Sequence, residues 1–165
     1  MPSIACLFPG QGSQAIGMGR DFHDRYPEAR ELFGRADSAL GFSLSKLCFE
    51  GPEEELRLTK NTQPALLVTS VIAFRLLGLQ PAAAAGHSLG EYSALVATGT
   101  LEFEAAVVLV HKRGTFMQEA VPVGVGAMAA VLGAAPEAIR DALGRIRTGV
   151  VEVANWNSPE QVVIA

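Results

Sequence analysis

The chain has 165 residues, 49% of them apolar and 18% charged, with a net charge of −4. That length suits about one domain, the apolar fraction excludes a disordered chain, and the weak negative charge excludes the electrostatic footprint of a nucleic-acid or anionic-membrane binder. Two distant cysteines, Cys6 and Cys48, with no leader-like N-terminus and no run near ~18 apolar residues, are expected of a reduced, cytoplasmic protein with no disulfide framework, metal site or membrane span.

In chain order, Ile4 to Phe8 is a short apolar run stopped by Pro9-Gly10, the pattern of a buried strand leaving into a turn. Pro27 opens a helix whose apolar face carries Leu32, Phe33, Ala36 and Leu40 and which Gly41 ends. A second short helix starts at Pro52 and presents Leu56. Thr62 to Leu77 is a longer helix, apolar nearly all round and closed by Gly78, which places it between layers. Ala82 to His87 is a second buried strand, Ser88 starts a helix ending near Gly99, and Glu102 to Glu119 is a further helix. Strands alternating with helices predict an α/β layer architecture over residues 1–122. Residues 123–165 change character: strand (Ala127 to Leu132), helix (Pro136 to Ile146), strand (Val150 to Ala154) and strand (Gln161 to Ala165) make a β-α-β-β order, the start of a ferredoxin-like unit. Two strands are too few for an open parallel sheet, so the first segment is expected to be an incomplete core and the whole chain a fragment.

Gly86-His87-Ser88-Leu89-Gly90 fits the G-x-S-x-G nucleophile elbow, with the required strand before it and helix after it. The glycines let a strained turn close against its neighbours, while the following helix aims free amides at the site, so the Leu89 amide could donate to an oxyanion. His87 is adjacent to the serine, but neighbouring residues at a strand end point apart, which gives it a packing role behind the site rather than that of a base. His23 and His111 read as surface residues, and no other group in the chain presents itself as the base for Ser88. Gly10-Gln11-Gly12-Ser13-Gln14-Ala15 matches a loose dinucleotide fingerprint, but the acid expected after the next strand is missing, so nucleotide binding is rejected in favour of a loop presenting backbone amides. Arg113, with Met117 four residues on along the same face, is open to two readings: a solvated helix residue or a ligand for an anion.

Taken together, Leu7-Phe8-Pro9-Gly10-Gln11-Gly12-Ser13-Gln14, Asn61-Thr62-Gln63-Pro64-Ala65, the elbow continued through Glu91-Tyr92, Arg113-Gly114 and Asn157-Ser158-Pro159-Glu160-Gln161-Val162-Val163-Ile164 occur in the order seen in a known family. The chain resembles the front half of the malonyl-CoA:acyl-carrier-protein transacylases of bacterial fatty-acid synthesis and the acyltransferase domains of polyketide synthases. The resemblance implies a hydrolase-like parallel-sheet core roofed by a ferredoxin-like insert. It implies that Ser88 takes a malonyl group from malonyl-CoA and passes it to the phosphopantetheine thiol of acyl carrier protein, with coenzyme A thioester as substrate and no bound cofactor. The Gln11 and Leu89 amides would form the oxyanion hole. Arg113 would grip the malonyl carboxylate with its planar fork, Met117 would line the acyl pocket and Gln63 would shape the site. The family's catalytic histidine follows the insert, so a missing C-terminal half or a separate chain is expected to supply it. A serine esterase or thioesterase, and a non-catalytic carrier-protein docking fragment, are the competing readings.

Overall fold

The computed structural model describes residues 3–121 and 124–165 and divides into two compact units, Met1–Ala120 and Val121–Ala165. In the first, β1 (Ala5–Phe8) is followed by α1 (Arg20–Arg25), α2 (Pro27–Leu40), α3 (Leu44–Glu50), α4 (Glu53–Arg57), α5 (Thr59–Leu77), β2 (Ala83–Gly86), α6 (Leu89–Ala97) and α7 (Phe103–Ala120). In the second, β3 (Ala129–Leu132), α8 (Pro136–Leu143), β4 (Val153–Ser158) and β5 (Gln161–Ile164) follow in turn.

The first unit is an α/β arrangement around a parallel pair, with Ala5 opposite Ala83 and Phe8 opposite Gly86. α5 runs through the centre: ten consecutive or near-consecutive side chains from Asn61 to Ile72 are buried, and α2, α3, α4, α6 and α7 pack around it. Its apolar circumference is what a helix surrounded by others requires. Phe33, Phe103, Leu44, Leu56 and Leu67 are the large side chains that close this core. An apolar groove of about 420 Å³ runs between β1 and α5, lined among others by Leu7, Phe8, Leu66, Phe74 and Leu77.

Boundaries moved where side chains served a neighbour. α5 begins at Thr59, a turn before the expected start at Thr62, because Asn61 and Thr62 do not cap it. Asn61 Nδ2 donates to the Glu55 carbonyl (2.8 Å) and Thr62 Oγ1 to the Leu56 carbonyl (2.6 Å), satisfying the end of α4 instead. α1 and α3 were not expected. α3 is nucleated by Ser43, which accepts from the Lys46 amide, and by Asp37 of α2, whose carboxylate takes the Ser45 amide (2.9 Å) and hydroxyl (2.6 Å).

In the second unit β5 lies between β3 and β4 and is antiparallel to both. β4 lies later than the expected Val150 to Ala154 and absorbs Asn155-Trp156-Asn157, with two register shifts against β5.

Candidate active site

The serine of the elbow sits where β2 ends and α6 begins. Its backbone is at φ 53°, ψ −107°, the only non-glycine residue with positive φ among the described residues. Such a conformation costs about 1–3 kcal/mol and persists only where the surroundings enforce it. Two glycines do so here. A Cβ on Gly86 would lie 1.9 Å from the Gly90 carbonyl carbon, and a Cβ on Gly90 would lie 2.2 Å from the Phe8 carbonyl oxygen. The start of α6 is thereby pressed onto the ends of both strands. Leu89 is the first residue of α6, so its N–H has no carbonyl one turn back to satisfy it. The Ser88 side chain is exposed.

The loop after β1 turns at Gly10, which cannot carry a side chain: its Cβ would meet the His87 carbonyl at 2.8 Å and the His87 Nδ1 at 2.9 Å. The His87 ring therefore lies against Gly10, while its amide donates to the Phe8 carbonyl (3.2 Å). Further along the loop the Gly12 amide donates to Gln14 Oε1 (2.8 Å) and the Gly17 amide to the Cys48 carbonyl (2.8 Å), fixing the segment that carries Gln11.

Arg113 reaches this turn from α7. Its Nη2 donates to Ser88 Oγ (3.1 Å), its Nη1 to Gln63 Oε1 (2.7 Å), and its Cζ stands 5.7 Å from the Tyr92 ring centroid. The solvated-helix reading of Arg113 is thus replaced by one of a partly buried cation beside the serine. Gln63, fully buried, is the hub: its Nε2 donates to Gln11 Oε1 (3.3 Å) and contacts Met117 Sδ (3.3 Å). The structure brings Ser88, Gln11, Gln63, Arg113 and Met117 into one connected cluster, with Leu89 following the serine and His87 behind the loop. A guanidinium with five donors, two of them engaged on Gln63 and Ser88, retains capacity for an anion delivered at the serine. In this contact Ser88 Oγ is the acceptor, which leaves its own hydrogen free for another partner.

Two histidines expected at the surface are half-buried, each with its ring against an aromatic neighbour. His23 packs its ring 5.1 Å from that of Phe49 and 6.0 Å from that of Phe33. His111 turns its Nδ1 onto the Lys60 carbonyl (2.8 Å) with the Phe42 ring 5.5 Å away. An apolar partner on a distant helix competes with water for an imidazole, and spacing along one helix does not reveal it.

The chain belongs to the acyl transferase domain family, whose model matches residues 6–165. It is 53% identical to the malonyl CoA-acyl carrier protein transacylase of Bacillus subtilis, over its whole length and 54% of that protein. The malonyl CoA-acyl carrier protein transacylase of Coxiella burnetii superposes with a TM-score of 0.91 at 50% identity, covering 98% of this chain and 53% of that one. A malonyl-transacylase solved in complex with its type II polyketide-synthase acyl carrier protein gives a TM-score of 0.91 at 46% identity, covering 99% and 54%. The chain spans about half the length of the relatives it matches. No described helix is long and apolar enough to cross a membrane.

Proposed function

We propose that this chain carries the nucleophile and the acyl-recognition half of a malonyl-CoA:acyl-carrier-protein transacylase acting in the cytoplasm. The observation that carries the reading is the Arg113 guanidinium placed 3.1 Å from Ser88 Oγ and backed at 2.7 Å by Gln63. A hydrolase of simple esters has no use for a cation at that point; a malonyl ester on Ser88 carries a free carboxylate that needs one.

In the proposed cycle Ser88 Oγ attacks the thioester carbonyl of malonyl-CoA. The developing oxyanion is held by the Leu89 and Gln11 amides, the C–S bond breaks, and coenzyme A leaves as its thiol with the proton taken from the serine. The pantetheine thiol of acyl carrier protein then attacks the Ser88 ester, and its proton returns to Oγ. Arg113 holds the malonyl carboxylate through both steps, with Met117 along the acyl group. The base that relays the proton is the histidine that the family resemblance puts after the insert, in the part of the relatives this chain does not span.

The same reading makes residues 1–122 part of a hydrolase-like core completed by strands from outside the chain, which the two-stranded sheet and the apolar groove beside β1 support. It makes residues 123–165 part of a ferredoxin-like insert; the order β3-β5-β4, a βαβ unit split by an antiparallel third strand, supports that. The test is made on the full-length protein. Malonyl-CoA should add one malonyl mass at Ser88, and Ser88→Ala should abolish it. Arg113→Ala should impair malonyl transfer at least ten-fold more than acetyl transfer, as loss of charge-assisted hydrogen bonds worth roughly 1.5–3 kcal/mol each predicts. An adduct on another residue, equal losses for the two acyl groups, or coenzyme A release independent of carrier protein would overturn the proposal.

A further inference from the structure

Gln63 holds Arg113 only as well as the first turn of α5 holds Gln63, and that turn has a flaw. Pro64 lies inside α5. It has no N–H to give to the carbonyl four residues back, and its ring crowds that carbonyl. The carbonyl is that of Lys60. A helix interrupted in its first two turns ordinarily splays there, and the residue immediately before the proline is Gln63.

The missing donor comes from α7. His111 Nδ1 stands 2.8 Å from the Lys60 carbonyl oxygen. A carbonyl only accepts, so this ring nitrogen carries the hydrogen. Three residues on, Gly114 lets the helices touch: a Cβ there would lie 2.6 Å from the Thr59 carbonyl oxygen and 2.7 Å from the Lys60 Cα. The carbonyl that Pro64 leaves unserved is thus pressed against α7 at a place where α7 offers both room and a donor. His111 and Gly114 flank Arg113 in sequence, and Met117 follows one turn later. The contact therefore sets the register in which Arg113 and Met117 meet Gln63.

We propose that His111 is a positioning residue: its Nδ1–H replaces the helical hydrogen bond that Pro64 removes, and so fixes Gln63 and, through it, the Arg113 guanidinium beside Ser88. The consequence for malonyl selectivity rests on the function proposed above; the consequence for Arg113 order does not.

The experiment uses the full-length protein, three single variants and one double variant. Nitrogen-15 NMR of the unmodified protein should show His111 as the Nδ1–H tautomer, and the Arg113 guanidinium protons should be resolved by restricted rotation. His111→Leu should average those guanidinium signals and raise KM for the malonyl thioester about five-fold, the effect of one ordinary hydrogen bond, with the acetyl KM unchanged. His111→Asn places an amide N–H near the Nδ1 position and should restore both. Pro64→Ala returns a backbone donor to Lys60, so the loss caused by His111→Leu should be smaller in that background than beside Pro64. An Nε2–H tautomer, guanidinium signals indifferent to His111→Leu, or an equal loss in both backgrounds would overturn the inference. A protein that transfers no malonyl refutes the proposed function, while the NMR signals still decide this one.

Discussion

Gly86→Ala tests how the serine turn is held. The added methyl carbon would lie 1.9 Å from the Gly90 carbonyl carbon, 2.0 Å from its oxygen and 2.3 Å from the Glu91 nitrogen, all backbone atoms. Ordinary contact begins near 3.4 Å, so the start of α6 must retreat from β2 by about 1.5 Å. No flexible side chain is available to give way. Gly90 cannot follow, because it is itself seated on the Phe8 carbonyl. Overpacking of a closed site costs typically 1–3 kcal/mol, and a displacement of about 1 Å at a reacting group costs on the order of 10²-fold in rate. In the full-length protein, Gly86→Ala should therefore lower the melting temperature and slow labelling of Ser88 by a fluorophosphonate at least ten-fold relative to the unsubstituted protein. An unchanged melt together with an unchanged labelling rate would refute the close packing of α6 on β2.

Three further outcomes follow from features away from the serine. Gly34 is exposed on α2 with nothing within 4 Å of its absent Cβ, so Gly34→Ala should stabilise the chain by about 0.5–1 kcal/mol, read as a higher melting temperature. Burial pushes the Cys48 thiol up to about 12, so Ellman's reagent should titrate Cys6 in the native chain and reach Cys48 only after denaturation. The Arg35 hydrogen bond, helped by a backbone hydrogen bond, holds the Glu104 carboxyl below its ordinary value, so the α2–α7 ion pair stabilises fully above the ordinary carboxyl range and is lost as pH falls through the folded value. Glu104→Gln should accordingly cost up to about 1 kcal/mol near neutral pH in denaturant melts, and the gap should narrow toward acid.

The serine turn was legible in the sequence because its requirements are local: two glycines, a strand before and a helix after. The long helices were legible for the same reason, their faces being written in side chains three and four apart. α3 was not, since its start depends on the Asp37 carboxylate, six to eight residues away on another helix. β4 was placed too early because Asn155-Trp156-Asn157 has the composition of a turn, and only pairing with β5 makes it part of the strand. The gathering of Gln11, Gln63, Arg113 and Met117 around Ser88 spans sequence separations of 25 to 54 residues and depends on how α5 and α7 are rotated. The family resemblance supplied roles for those residues, whereas their spacing alone left Arg113 undecided. For His111 the signal was present but sat elsewhere, in a proline that leaves a carbonyl four residues earlier without its donor.

The backbone at Ser88 puts stability and chemistry in opposition at a single position. Its φ of 53° is natural for glycine and strained for serine. Ser88→Gly would keep every main-chain contact of the turn, relieve a strain of about 1–3 kcal/mol, and remove the hydroxyl proposed as the nucleophile. Any search for hardier versions of this chain that scores only folding will therefore drift toward losing the serine. A screen that enriches for thermal resistance has to monitor Ser88 acylation alongside, or its best survivors will be folded and inert.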